Sequence, residues 1–259
     1  MIYTDRSINN NKVTIVTVVF NDKVGLEDTI LSVLNQSYQN IEYLIIDGGS
    51  TDGTVDVIRN YENHLAYWCS EPDGGIYDAM NKGINRATGE WIIFMNAKDK
   101  FADSFVLQKL HNYFISDTDV IIGNTVMDDH QQLREFKARK NRNISSKLTT
   151  SMGFYHQSSL VRTALAKQYP FDVRYHLAAD FGMFFELYRN QYKFVYVDFP
   201  ISYFDTTGVS MNNVYQGKLE TFNILRPNSR VRNKILAFLL TECLRIRSFV
   251  DSHIIKVIK

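Results

Sequence analysis

The chain has 259 residues, with 29 Lys and Arg against 28 Asp and Glu for a formal charge of +1, and 45% hydrophobic content. That suffices for one large domain, or a domain with an appendage, and the even charge balance excludes a disordered tail protein or a dedicated nucleic-acid binder. The two cysteines, Cys69 and Cys243, make neither a disulfide framework nor a CxxC metal spacing. The N-terminus is polar, with no signal-peptide stretch, and no apolar run approaches the ~18 residues that span a bilayer. The expectation is a cytoplasmic protein, soluble or held at a surface.

From Val13 to Asn96, β-branched or aromatic runs alternate with helical patterns. VTIVTVVF (13–20), IEYLIID (41–47), LAYWCS (65–70) and WIIFMN (91–96) are predicted strands, and their alternation with helices is that of βαβ units in a mostly parallel sheet. Leu26, Ile30, Val33 and Leu34 form one helical stripe; Ile76, Ala79, Met80, Gly83, Ile84 and Ala87 form a longer one. Beyond about Ser104 the regularity fades. A helix is predicted near 104–114, a strand at Val120–Asn124, a polar stretch over 128–150, a helix near 178–190 and a strand at 193–198. From Ser229 to Lys259, seven Lys or Arg residues face Glu242 and Asp251 on an otherwise apolar segment. This basic amphipathic helical segment has two readings: seating in an anionic membrane interface, or packing on the chain's own core or on a second copy in a homodimer.

In open α/β sheets, ligands bind beyond the carboxyl ends of the strands. The four predicted strands run into polar turns: Phe20-Asn21-Asp22, Asp47 to Gly53, Ser70 to Gly75, and Asn96-Ala97-Lys98-Asp99. Ser50 or Asp52 also suits the cap of a helix beginning near Thr54. The second turn is not GxGxxG and no Gly-Lys-Ser/Thr cradle follows, so neither a dinucleotide site nor a P-loop is supported. A carboxylate such as Asp47 can accept hydrogen bonds from a ribose or a base imide, or serve its own turn.

The series VTIVTVVFN (13–21), LIIDGGSTDGT (44–54), SEPDGGIYDAMNKGINRATGEWIIFMNAKD (70–99), and FYHQSSLVR (154–162) followed by FDVRYHLAADF (171–181) resembles the family 2 glycosyltransferases. The likeness covers roughly residues 12–210 and is to bacterial members that build O-antigen, capsule and other surface polysaccharides. It implies a GT-A fold: a Rossmann-like α/β architecture whose mixed, mainly parallel sheet is flanked by helices. A nucleotide-sugar-binding half (12–124) would adjoin an acceptor half (125–228), with 229–259 as an appended C-terminal helical segment. It implies inverting transfer of a hexose or N-acetylhexosamine from a UDP-sugar to a lipid-linked, polyprenyl-diphosphate saccharide. The enzyme would be peripheral on the inner face of the cell membrane, with no nucleic-acid partner.

Carried over residue by residue, Thr17, Val19 and Asn21 lie along the nucleoside and Asp47 contacts uracil or ribose. Asp73, Asp78, Asn81 and Lys82 line the donor pocket, although Asp78 and Lys82, at i and i+4, can also pair with each other. Where this chain has Asn96-Ala97-Lys98-Asp99, many members of the family it resembles have two or three carboxylates and the most similar have an Asn-Ala-Gly-Asp form, so Lys98 is the departure. Here Asp99 alone keeps the metal-ligand carboxylate, for Mn2+ or Mg2+ completed by diphosphate and water. Lys98 pointing inward would repel a metal or pair with the pyrophosphate; pointing outward it is a solvated lysine. Asp180 is the expected general base, and equally suits a helix N-terminus. His156 and Gln157 would position phosphate or acceptor, with a core role equally open for His156. Gly208-Val209-Ser210 resembles a turn closing the site.

Two other readings compete. A nucleotidyltransferase needs a Gly/Arg/Lys-rich triphosphate loop after the first strand, which Phe20-Asn21-Asp22-Lys23 is not. A non-catalytic binding or scaffold protein could keep the fold while the metal motif decayed at Asn96 and Lys98, but Asp99 and Asp180 are both present. A glycosidase would need two cooperating carboxylates and no nucleotide pocket.

Overall fold

Seven consecutive buried residues make β1 (Val13–Val19) a strand covered on both faces, as central parallel strands are. The computed structural model describes residues 11–129, 131–138, 153–207 and 213–225. After β1 come α1 (Lys23–Leu34), β2 (Ile41–Asp47), α2 (Thr54–Asn60), β3 (Tyr67–Ser70), α3 (Ile76–Arg86) and β4 (Trp91–Phe94). Then follow β5 (Lys100–Phe101), α4 (Val106–Leu110), β6 (Val120–Asp128), β7 (Leu133–Phe136), β8 (Ser159–Arg162), α5 (Thr163–Gln168), α6 (Ala179–Arg189), β9 (Phe194–Asp205) and α7 (Val214–Leu225). The expected segment 229–259, the turn Gly208-Val209-Ser210 and Cys243 lie outside the described residues.

Among the described residues, nine strands form one sheet in the order β3-β2-β1-β4-β8-β6-β9-β5, with β7 added on β6. β3, β2, β1 and β4 run parallel. β8 is antiparallel to both β4 and β6, while β6 and β9 are parallel. The sheet is therefore mixed and continuous through both expected halves, and the carboxyl ends of β1 to β4 lie along one edge.

Alternation along the strands divides the core into two layers. Val13, Ile15, Ile45 and Ile93 pack with Leu26, Ile30 and Val33 of α1 and with α4. Val16, Val18, Leu44, Ile46, Ile92 and Phe94 pack with Met80 and Ile84 of α3 and with Met183, Phe184 and Leu187 of α6. One assignment in the α3 stripe is corrected: Ile76 is 44% exposed, and Tyr77 turns inward instead. Ile76 is the first residue of the helix, where the apolar face has not yet met the sheet. β9 also extends well past the expected 198. Pro200 does not end it, because it pairs with Asn124 where the register shifts, and a bulge is where a strand tolerates a residue without an N–H donor.

Candidate active site

The four strand-end turns are tied to one another. Asn21, at φ 49°, accepts from the Thr51 amide at 2.8 Å, and its own amide donates to Ser50 Oγ at 2.7 Å. Asp22 caps α1 by accepting from the Gly25 amide at 3.0 Å. The expected cap of α2 is different: Gly53 holds the N-cap position with no side-chain bond, Asp52 accepts from the Thr54 amide, and Ser50 turns to Asp47.

Several residues expected on the nucleoside serve the framework. Thr17 and Asp47 are 0% exposed, so neither offers side-chain surface to a ligand. Thr17 Oγ1 meets the Tyr43 hydroxyl at 3.0 Å. The Asp47 carboxylate accepts from the Gly49 and Ser50 amides and from the hydroxyls of Ser50 and Ser70, so it shapes the turn itself. Val19 is buried in the core. Asp73 accepts from the Gly75 amide and Asp78 from the Gly74 amide, which together fix the entry to α3. Lys82 pairs with Glu71 at 2.8 Å rather than with Asp78. Asn81 exchanges two hydrogen bonds with the Phe171 backbone and so anchors the loop leading to α6.

A cavity of about 640 Å³ opens at the carboxyl ends of these strands, within the size range of ligand pockets. Asp78, Asn96, Lys98, Asp99, His156, Gln157 and Asp180 all line it. Asp99 is 3% exposed. Burial raises its carboxyl to about 7, against the opposing pull of His156, the Asp205 amide and Gln157. Asp205, on β9, donates that amide to Asp99 Oδ1 at 3.2 Å, and its own carboxylate opposes ionisation of Asp99. Lys98, at φ 78°, turns back along α1. Its stem crosses Gly25, where a Cβ would lie 2.5 Å from Lys98 Cγ, and its ammonium sits 3.3 Å from Asp22 while 45% exposed. Neither inward reading of Lys98 describes this orientation.

Asp180 is the second residue of α6, as expected for a helix N-terminus. Its Oδ1 accepts from the Tyr77 hydroxyl at 3.0 Å and from the Phe181 amide at 2.8 Å. Oδ2 meets His156 Nδ1 at 3.0 Å. Burial opposes its ionisation, yet the His156 imidazole, the Phe181 amide and the Tyr77 hydroxyl outweigh that cost and hold it below the usual carboxylate range. His156 Nε2 in turn meets Asn96 Nδ2 at 3.3 Å. The cavity thus holds two buried carboxyls pushed in opposite directions, as acid–base sites do.

Tyr77, Asp205 and Lys218 are polar wall residues given no role in the sequence reading. Desolvation draws the Lys218 ammonium below its usual value. Asp205 and Lys218 lie outside every motif and reach the cavity through the fold alone, whereas Tyr77 lies within the 70–99 motif. Among the described residues there is no group of three or more His, Cys, Asp or Glu arranged to hold a metal, and no helix long and apolar enough to cross a membrane.

The chain resembles known proteins in sequence and in fold. An uncharacterized glycosyltransferase of Mycobacterium tuberculosis is 47% identical over 91 residues, 35% of each chain. The putative teichuronic acid biosynthesis glycosyltransferase TuaG of Bacillus subtilis is 37% identical over 94 residues, 34% of this chain and 36% of that one. These matches span about a third of those relatives' length. Staphylococcus aureus TarS in complex with UDP-GlcNAc superposes with a TM-score of 0.67 at 18% identity, over 83% of this chain and 66% of TarS. The mannosyltransferase PcManGT of Pyrobaculum calidifontis, in complex with GDP-Man and Mn2+, gives 0.66 at 15% identity, over 89% and 68%. These likenesses establish the GT-A fold. The model described as "Glycosyl transferase family 2" matches residues 14–190, and the chain belongs to that family.

Proposed function

We propose that the chain is an inverting glycosyltransferase that moves a hexose or N-acetylhexosamine from a UDP-sugar to a lipid-linked saccharide in the making of a surface polysaccharide or glycolipid. One observation carries this: Asp99 and Asp180 line one cavity at the carboxyl edge of the sheet, one near neutrality in its proton affinity and the other held ionised.

In the donor half (12–124), Phe20 is 64% exposed at the end of β1. A Cβ on Gly48 would lie 3.3 Å from its ring and 2.8 Å from Asp73 Oδ2, so an aromatic face and a carboxylate flank the same turn. That pairing suits a nucleobase. The UDP and UDP-GlcNAc complexes of TarS support uridine. On the acceptor side (125–228), Asp180 Oδ2 accepts the proton of the attacking hydroxyl. The oxygen bonds to the anomeric carbon from the face opposite the leaving group; the anomeric C–O bond breaks, and its electron pair departs with the nucleoside diphosphate. Configuration inverts, and negative charge collects on the leaving group. Asp99, with Asp205 beside it, offers hard carboxylate oxygens that would hold a Mn2+ or Mg2+. Bound there, the ion would offset the leaving charge. The Mn2+ in the PcManGT complex supports this.

The lipid-linked acceptor and the inner membrane face rest on the basic segment 229–259 and on relatives described by teichuronic acid and PGL/p-HBAD biosynthesis. The test is nucleoside diphosphate release from UDP-, GDP- and dTDP-sugars, with and without Mn2+ or Mg2+, on a lipid-linked saccharide. UDP release that depends on acceptor and metal is expected. Nucleotide binding without turnover would instead favour the scaffold reading, and pyrophosphate release from a nucleoside triphosphate and a sugar phosphate the nucleotidyltransferase.

A further inference from the structure

We propose that Asn96 is a positioning residue: its amide donates to His156 Nε2, keeps that nitrogen bare, and so keeps a neutral ring whose Nδ1–H braces Asp180 Oδ2 beside the lone pair that takes the acceptor hydroxyl's proton. The proposal rests on the reading of Asp180 as base.

Lone-pair accounting leads to it. Asp180 Oδ1 already takes two donors, the Tyr77 hydroxyl and the Phe181 amide, so both of its lone pairs are filled. Oδ2 faces His156 Nδ1 at 3.0 Å. An ionised carboxylate can only accept, so Nδ1 carries a proton. In a neutral imidazole the other nitrogen is then an acceptor and needs a donor opposite it, which Asn96 Nδ2 supplies at 3.3 Å. Asn96 Oδ1 is buried with no hydrogen-bond partner among the described residues. Turning the amide over would set oxygen against the bare ring nitrogen, acceptor against acceptor. The unsatisfied oxygen is the cost of presenting the NH2 group to the ring.

An Asp at position 96 would face Nε2 with an acceptor, call for a second ring proton, and place an imidazolium between two carboxylates. A cation bonded to Asp180 would weaken the base. The ring's other charged surroundings make no hydrogen bond to its nitrogens: Asp99 is bonded to the Asp205 amide, and Lys98 is turned to Asp22. Glu220 is engaged by the Leu177 and Ala178 amides. Asp78, His176 and Lys218 line the same cavity. Asn96 and Tyr77 thus brace Asp180 from opposite sides, one through the imidazole and one directly.

The test is long-range 1H–15N NMR of the full chain labelled with 15N-histidine, with His156 assigned by the signal lost in His156→Gln. The wild type should show a protonated Nδ1 and a bare Nε2. Asn96→Asp should protonate both nitrogens, and Asn96→Ala should shift the Nε2 resonance, its donor lost, while Nδ1 keeps its proton. With a UDP-sugar donor, kcat of Asn96→Asp should fall roughly 10- to 100-fold, within the range of a general base's contribution, while donor KM stays within about threefold. A wild-type Nε2–H tautomer, or spectra unchanged in both variants, would overturn the proposal, as would a shifted spectrum with kcat untouched. Should Asn96→Asp not fold, Asn96→Ala carries both readouts. If the chain shows the Nδ1–H tautomer yet transfers no sugar, the transfer reading fails while the hydrogen-bond assignment stands.

Discussion

Asp99 and Asp180 are both buried carboxyls, and their neighbours decide their opposite behaviour. Asp180 gains three donors; Asp99 gains an amide and Gln157 but also the field of Asp205. The consequence for stability has a definite sign. With its carboxyl raised from the ordinary value of 3.8 to about 7, Asp99 keeps a proton in the folded chain that it loses in the unfolded one. Its contribution is therefore full below the ordinary value and is lost as pH rises through about 7. Asp180, lowered, contributes above the ordinary carboxyl value and loses that contribution on acidification, so the two act in different windows. Without divalent cation, urea midpoints should show wild type losing on the order of 2–4 kcal/mol relative to Asp99→Asn between pH 4 and 7. A constant difference across that window would contradict the assignment. Asp99, Asp180 and His156 were legible as motif residues. Asp205 was not, because it reaches Asp99 across 106 residues of chain, on the part of β9 that lies beyond Pro200. Tyr77 was passed over because the α3 stripe was begun at Ile76; the stripe's other members are buried as read.

At the scale of elements, legibility followed burial. β1, β2 and β4 could be read because central parallel strands are continuous apolar runs, and β3, half-buried at the edge of the sheet, because its run is aromatic. β5, at two residues, and β7, whose side chains are largely exposed, give no such pattern. β8 lay inside a motif that carried the resemblance but read as no particular element. α3 is the helix on which the cavity most depends, since it carries Tyr77 and Asp78, and its packing admits a sharp test. A Cβ on Gly83 would lie 2.5 Å from Val16 Cγ1, and Val16 is fully buried in β1. Alanine gains about 1 kcal/mol of helix propensity over glycine, but overpacking a core contact costs about 1–3 kcal/mol. Since the clash is with a strand-borne methyl that cannot withdraw, Gly83→Ala should lower stability by about 1–2 kcal/mol in urea denaturation. A gain in stability would show that α3 sits farther from the sheet than described here.

For the whole molecule, one sheet carries both halves of the site. β1 to β4 deliver the turns and Asp99; the strands beyond β4 bring Asp205 and the His156-Gln157 turn to the same cavity. The topology past β4 was not legible in the sequence. β8 inserts antiparallel between β4 and β6, a pairing set by long-range contacts rather than by any local pattern. At this scale the basic segment 229–259 also finds its test: its deletion should abolish binding to anionic lipid vesicles while leaving UDP-sugar binding within about threefold. Retained vesicle binding would remove the membrane reading and turn attention to pairing between copies. The central claim is that this sheet brings a base and a leaving-group site together for inverting transfer. It is tested most directly by following acceptor-dependent UDP release and product anomeric configuration in wild type and Asp180→Asn. The account predicts an inverted anomer from the wild type and a kcat in Asp180→Asn reduced by about 100-fold or more, with donor KM unchanged. Retained configuration, or an Asp180→Asn enzyme as fast as wild type, would contradict it.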